Sequence, residues 1–154
     1  IKTSMPYDGN VRAAVLALKN GNDRRLASDL ANLLIPLVDV LNTDVITWAP
    51  TTKSRAHSRG YDHAELIARS LGKKLGVPTR KLLRRDDGVA QQGKNRAARL
   101  VGPRVTATPA ARGKRILIVD DVVTTGATLM ACRDALINAG ARSVEIVAVA
   151  GARN

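Results

Sequence analysis

At 154 residues the chain is long enough for one domain, spanning 1–154, that buries about two thirds of its unfolded surface. Aromatics make up only 2% and Phe is absent, so Leu, Val, Ile and Ala must fill the core. No stretch reaches the length of a membrane span, a lone Cys132 excludes an internal disulfide and a Cys-based metal site, and a net charge of +12 implies anionic partners.

Ile1 is not an initiator Met and Ile1 to Ser4 lacks the apolar region of a signal peptide, so a further N-terminal segment is expected ahead of it. Asn10 to Asn20 places Val11, Ala14, Val15 and Leu18 on one face of a short helix stopped by Gly21. Asp23 opens a longer helix with Leu26, Leu30, Leu33, Leu34 and Leu37 inward, which Pro36 should kink or divide. Both helices read as architecture.

Val45 to Ala49 reads as a buried strand closed by Pro50, and it delivers Thr51, Thr52, Lys53, Ser54 and Arg55 to its carboxyl edge. Asp62, with Glu65 three residues on, suits the cap of a helix whose apolar positions Leu66, Ile67, Leu71 and Leu75 run to Gly76. His63 reads as a first-turn helix residue rather than a catalyst, and Tyr61 either packs or covers a ligand. Thr79 to Arg85 looks like a strand centred on Leu82 and Leu83. Residues 86–103 then run polar, basic and glycine-punctuated, longer than an ordinary connection. Between Arg80 and Arg115 eleven Lys or Arg face only Asp86 and Asp87, so the charge excess is concentrated here. Val105 to Ala107 is a short strand before Pro109.

The most informative stretch is Arg115 to Ala131, RILIVDDVVTTGATLMA. Ile116 to Val119 is apolar without alternation, as in a parallel strand buried on both faces, and Asp120 and Asp121 fall at its carboxyl end, where ligands collect in open α/β sheets. Thr124, Thr125, Gly126, Ala127 and Thr128 then offer hydroxyls and close backbone approach before Leu129 to Leu136 take up helical spacing. Such a loop at a helix N-terminus is a cradle for phosphate, because unpaired N–H groups and the helix dipole attract anions. A lone Gly126 makes neither a dinucleotide fingerprint nor a Walker loop. A receiver-type acid pair is expected near the first strand, not this late in the chain. Cys132 falls on the inner side of the helix and reads as core, Gly140 ends that helix, and Val144 to Ala150 is a closing strand. Alternating strands and helices argue an α/β fold, a parallel sheet with helices on both faces.

The thirteen residues from Ile116 to Thr128 resemble the phosphoribosyl pyrophosphate (PRPP) signature of type I phosphoribosyltransferases: four apolar residues, two acids, a short spacer and Thr-Thr-Gly-x-Thr. The resemblance implies a three-layer parallel-sheet fold in which Asp120 and Asp121 hold the ribose hydroxyls with Mg²⁺ nearby, and Thr124 to Thr128 hold the 5′-phosphate. Arg59, Gly60, Tyr61, Asp62, His63 and Ala64, preceded by Trp48, Ala49 and Pro50, are similar to the Arg-Gly-aromatic-Asn-x-Ala block of the ComF (competence protein F) family. Weaker similarity lies at Tyr7, Val11, Arg12, Leu18, Lys19, Arg85 and Gln92. Asp62 stands where that family has Asn, the block after Gln92 ends in Arg99, Leu100, Val101, Gly102 and Pro103 instead of the usual pattern, and the family's Cys-rich zinc module is absent from this chain.

The resemblance implies a transferase that uses PRPP, releases pyrophosphate and passes the ribosyl 5-phosphate to an acceptor, in a cytoplasmic setting linked to DNA uptake. Lys53, Arg55 and Arg59 are candidates for the pyrophosphate, with ordinary solvated surface as the other reading of the two arginines. Gln92, Lys94, Arg96 and Arg99 are candidate anion contacts of a closing loop, with a merely solvated basic loop as the other reading. A different class also fits the charge: a nucleic-acid-binding adaptor that keeps the fold, although two Tyr, one Trp and no Phe provide little stacking surface.

Overall fold

The computed structural model describes residues 1–6, 13, 17, 24–51, 62–85 and 104–151. Four strands form one parallel sheet: β1 (Lys2–Pro6), β2 (Val45–Trp48), β5 (Arg115–Val123) and β6 (Ser143–Gly151), in the order β1-β6-β5-β2. Two shorter strands, β3 (Leu83–Arg85) and β4 (Val105–Ala107), pair antiparallel as a separate ribbon. Among the described residues the α-helices with defined bounds are α1 (Arg24–Leu34), α2 (His63–Leu75) and α3 (Ala127–Asn138). The α/β architecture expected from the alternation of elements is the one observed.

Successive side chains of a strand point to opposite faces, and the core divides accordingly. Ile46 and Trp48 of β2, Leu117 and Val119 of β5, and Val147 and Val149 of β6 face α1 and α2. Their alternates Val45, Ile116, Ile118 and Ile146 face α3 and the ribbon, meeting Leu129, Cys132, Leu136, Leu82 and Leu83. This explains the uninterrupted apolar run of β5, since each of its faces meets a separate core.

In α1 the buried stripe is Ala27, Leu30, Ala31 and Leu34, one helical face, while Leu26, Leu33 and Leu37 pack at its margin. The α-helix ends at Leu34 and tightens into a 3₁₀ turn, Ile35–Leu37, because Pro36 has no N–H to continue the ladder. Helix α2 ends where expected, on Gly76 at φ 68°, whose N–H bonds the Gly72 carbonyl. Asp62 occupies the position before α2 but makes no capping hydrogen bond; its carboxylate instead accepts the Thr51 N–H at 3.3 Å. The expected capping box is therefore replaced by a link to the end of β2.

The strand expected over Thr79 to Arg85 is split. Thr79 lies parallel to Ile46, with Ile46 N–H bonding Pro78 O and Arg80 N–H bonding Ile46 O, both at 2.9 Å. Leu82 N–H then bonds the buried Thr47 hydroxyl at 3.2 Å, and only Leu83–Arg85 enters the ribbon. Strand β1 had no counterpart among the expected elements; it adds to the edge of β6, where its terminal Pro6 is tolerated. The helix expected over 10–20 falls outside the described residues apart from Ala13 and Ala17, both helical and exposed. Among the described residues no helix is long and apolar enough to cross a membrane.

Candidate functional site

Strand β5 outruns β2. Pairing between them ends at Trp48 and Val119, closed by the Ala49 N–H to Val119 O bond at 3.1 Å, whereas pairing of β5 with β6 continues to Val123 and Gly151. Asp120 to Val123 therefore border a gap beyond the end of β2, and a cavity of about 370 Å³ opens there. Its walls are the end of β2 with Thr51, the start of α2 with Asp62 and His63, Arg85 at the end of β3, and the whole run from Asp120 to Leu129.

The acid pair sits within the last part of β5 and not after it. Asp120 accepts the Asp121 N–H and Asp121 accepts the Val122 N–H, each at 2.8 Å, so each carboxylate is held by the backbone N–H of the residue after it. Burial, the charge of Asp121 and the more distant Asp62 together raise the pKa of Asp120 well above the usual carboxylate range. Asp62 is pushed up to about 6, chiefly by burial and then by the charges of Glu65 and Asp121, against the stabilising Thr51 N–H. The described part of the cavity thus gathers three carboxylates, and burial disfavours the charged forms of Asp120 and Asp62.

The loop after β5 is short: Thr124, Thr125 and Gly126, with α3 beginning at Ala127. Gly126 has φ 76°, a left-handed conformation that turns the chain from strand into helix at no steric cost. Thr125 Oγ1 accepts the Ala127 N–H at 3.4 Å, and the first intrahelical bond runs from Met130 N–H to Gly126 O at 2.9 Å. The N–H groups of Thr128 and Leu129 precede that bond, which leaves the anion-attracting end of α3 at the cavity wall.

All seven residues expected at the ribose and phosphate, namely Asp120, Asp121, Thr124, Thr125, Gly126, Ala127 and Thr128, line this cavity. Lys53, Arg55 and Arg59, and Gln92, Lys94, Arg96 and Arg99, lie outside the described residues. Asp62, His63 and Arg85 were not foreseen as cavity residues. His63 is indeed the first residue of α2, but it is 9% exposed and faces the cavity as well. A signal for Asp62 was present in its place after a strand-end loop; for Arg85 there was only the weaker family similarity at that position, since its place at the cavity depends on how the ribbon docks. Cys132 is fully buried and its thiol is pushed up to about 12, by burial first and then by Asp120, as befits a core residue and not a nucleophile.

Among the described residues no group of three or more His, Cys, Asp or Glu side chains is arranged to hold a metal by itself. One or two carboxylates with ligand oxygens and water are nevertheless the ordinary surroundings of Mg²⁺, and the charge surplus at Asp120 and Asp121 fits such an ion.

No curated protein matches the chain in sequence. Among solved structures it is similar to the allosteric regulatory enzyme of purine biosynthesis, with 23% identity and a TM-score of 0.55 over 79% of this chain and 25% of that one. It is also similar to glutamine PRPP amidotransferase from B. subtilis, complexed with ADP and GMP, with 24% identity and a TM-score of 0.56 over 81% of this chain and 25% of that one. The chain spans about a quarter of the length of these proteins, and the likeness is one of fold. The sequence pattern described as Phosphoribosyl transferase domain runs through residues 24–154, taking in β2, β5, α3 and the cavity they border, and the chain belongs to that family.

Proposed function

We propose that this domain is a Mg²⁺-dependent phosphoribosyltransferase that uses PRPP, releases pyrophosphate and transfers the ribosyl 5-phosphate to an acceptor. One observation carries the reading: a single cavity joins the paired acids on the overhang of β5 to a threonine- and glycine-containing loop that opens α3. Asp120 and Asp121 accept hydrogen bonds from the ribose hydroxyls, which fixes the sugar and favours positive charge developing at C1. Thr124, Thr125 and Thr128, with the backbone N–H groups at Gly126 to Thr128, hold the 5′-phosphate. Lys53, Arg55 and Arg59 neutralise the departing pyrophosphate, assisted by Gln92, Lys94, Arg96 and Arg99. Mg²⁺, when bound, supplies charge neutralisation at the pyrophosphate, with Asp120 and Asp121 as the residues near it.

The resemblance at Arg59 to Ala64 supports a ComF-like protein of the cytoplasm, and with it a role connected to DNA uptake. Calorimetric titration with PRPP, with and without Mg²⁺, tests the donor site. An acceptor screen read by pyrophosphate release tests the transfer. PRPP binding without release over a broad nucleobase and amine panel would leave the donor site and remove the enzyme.

The charge of +12 favours a second reading, a nucleic-acid-binding adaptor built on the same fold. Its affinity would come from phosphate contacts, so it would fall steeply with salt and show little sequence preference. Fluorescent single- and double-stranded oligonucleotides titrated at several salt concentrations separate the readings, and no binding at low salt removes the adaptor.

A further inference from the structure

Helix α3 differs from its two neighbours in what it turns outward. The exposed residues of α1 include Arg24, Arg25 and Asp29. Those of α2 include Arg69, Lys73 and Lys74, and Arg69 pairs with Glu65 at 2.7 Å. On α3 the exposed residues include Met130, 40% accessible, and Ile137, 43% accessible, and among the described residues neither α1 nor α2 exposes a large apolar side chain to that degree. Leu129, Cys132 and Leu136 fill the core from the opposite side, so α3 carries apolar residues on both faces. A helix apolar all round is ordinarily covered all round.

At about 100° per residue, Met130 and Ile137 lie within about 20° of one line along the helix and about 10 Å apart on it. Arg133 and Asp134, both exposed, flank that line about 50° to either side, midway between the two apolar residues. Neighbours in sequence do not face each other on a helix, and neither of these has an opposite charge three or four residues away on α3. Among the described residues neither makes an ion pair, whereas Lys2, Arg69 and Arg115 each hold a carboxylate. The pattern complements itself in one arrangement. When two copies of α3 pack side by side and parallel, related by a twofold axis along the helices, Met130 meets Met130 and Ile137 meets Ile137 on the seam. Arg133 of each copy then lies across from Asp134 of the other. An antiparallel pair sets Arg133 against Arg133 and Asp134 against Asp134, and like charges repel.

We propose that the outward face of α3 is an interface with a second copy of this chain, a parallel pair of α3 helices with Met130 and Ile137 buried on the seam and two reciprocal Arg133–Asp134 ion pairs beside it. Removing the apolar seam from water drives the association, and the charges choose the parallel direction. One helix from each side buries less than a standard protein interface, so the dimer is weak and forms with rising concentration. Because the N-terminus of α3 borders the cavity, the parallel pair sets the two cavities at the same end of the dimer. The interface itself holds whatever ligand the cavity takes.

The test is sedimentation equilibrium of the whole chain from about 10 μM to about 1 mM in low salt, the range of a weak interface. Wild type is expected to dimerise. Arg133→Asp and Asp134→Arg should each weaken dimerisation about 10-fold or more, because either change makes both pairs repulsive. The double variant Arg133→Asp with Asp134→Arg exchanges the charges and should return to within about three-fold of wild type. Met130→Gln with Ile137→Gln should weaken dimerisation with the charges intact. All four positions are exposed, so thermal melts of the variants should match wild type and separate a lost interface from a lost fold. A wild type that stays monomeric at about 1 mM overturns the proposal. So does a dimer that the single reversals leave intact, or one that the double variant fails to restore.

Discussion

Arg115 holds the carboxylate of Asp44 through three donors: its backbone N–H at 2.8 Å, Nε at 3.1 Å and Nη2 at 2.6 Å. The Asp44 N–H returns a bond to Arg115 O at 2.8 Å, so the residue before β2 and the first residue of β5 are clamped together. The clamp sets the register in which Val45 faces Ile116 and Trp48 faces Val119. A slip of one residue would turn every β5 side chain to the opposite face and withdraw Asp120 and Asp121 from the cavity.

The pKa of Asp44 is held well below the carboxylate range, first by the side-chain hydrogen bond from Arg115 and then by its backbone N–H. Ionisation of a group with a lowered native pKa stabilises the fold above its unfolded value, about 4, and that contribution is lost as pH falls below it. Asp44→Asn should therefore melt at a lower temperature than wild type at pH 7, with a gap that narrows between pH 4 and pH 3. A gap of constant size across thermal melts from pH 7 to pH 3 would count against the ionic part of the clamp.

Asp62 has the opposite sign. With its pKa pushed up to about 6 by burial, the native state holds a proton that the unfolded state has released, and stability falls as pH rises from about 4 to 6. Asp62→Asn keeps an oxygen for the Thr51 N–H and removes the buried charge. We expect it to be more stable than wild type by roughly 1–2 kcal/mol at pH 7 and equal to it at pH 4, measured by urea denaturation at both pH values. Equal stability at pH 7 would show that the carboxylate is not desolvated.

Gly72 in α2 lets the segment after the helix run beside β2. A Cβ placed there would collide with Thr79 Oγ1 and lie 2.7 Å from Val77 O, a backbone atom that cannot rotate away. Gly72→Ala should cost roughly 1–3 kcal/mol despite the better helix propensity of Ala, because the overlap must move the chain that carries Thr79 and Arg80. Unchanged urea unfolding would mean that this segment is looser than its two hydrogen bonds to Ile46 imply.

Asp121→Asn preserves the shape and the acceptor for the Val122 N–H, so melting behaviour should be nearly that of wild type. PRPP–Mg²⁺ binding should weaken by roughly 1.5–3 kcal/mol, the scale of a charge-assisted hydrogen bond lost to a neutral one. The comparison is calorimetric, with and without Mg²⁺, and equal binding by the two proteins would remove the acid pair as a ribose site.

What could be read along the chain was whatever a few neighbouring residues dictate. The apolar run Ile116 to Val119 requires two covered faces, Pro36 forbids a continuous helix, and Gly126 permits the left-handed turn that aims α3 at the end of its own strand. For that reason the acid pair and the threonine loop were legible before any fold was known: strand, loop and helix are consecutive, and their chemistry needs no distant partner. The segment Lys2–Pro6 shows the limit, since KTSMP has no strand period and becomes β1 only because β6 offers an edge.

Tertiary structure decided which residues from elsewhere join that local motif. Arg85 is one of many basic residues in sequence and becomes a cavity residue only because β3 pairs antiparallel with β4 and packs against α3. Asp62 resembles a helix cap locally, but the end of β2 brings the Thr51 N–H within reach and burial then raises its pKa. Local patterns report the period and shape of an element, because those follow from adjacent dihedrals and side chains. The company a charged group keeps, and so its protonation and its ligand, depends on contacts between segments distant in the chain, which only the packed sheet brings together.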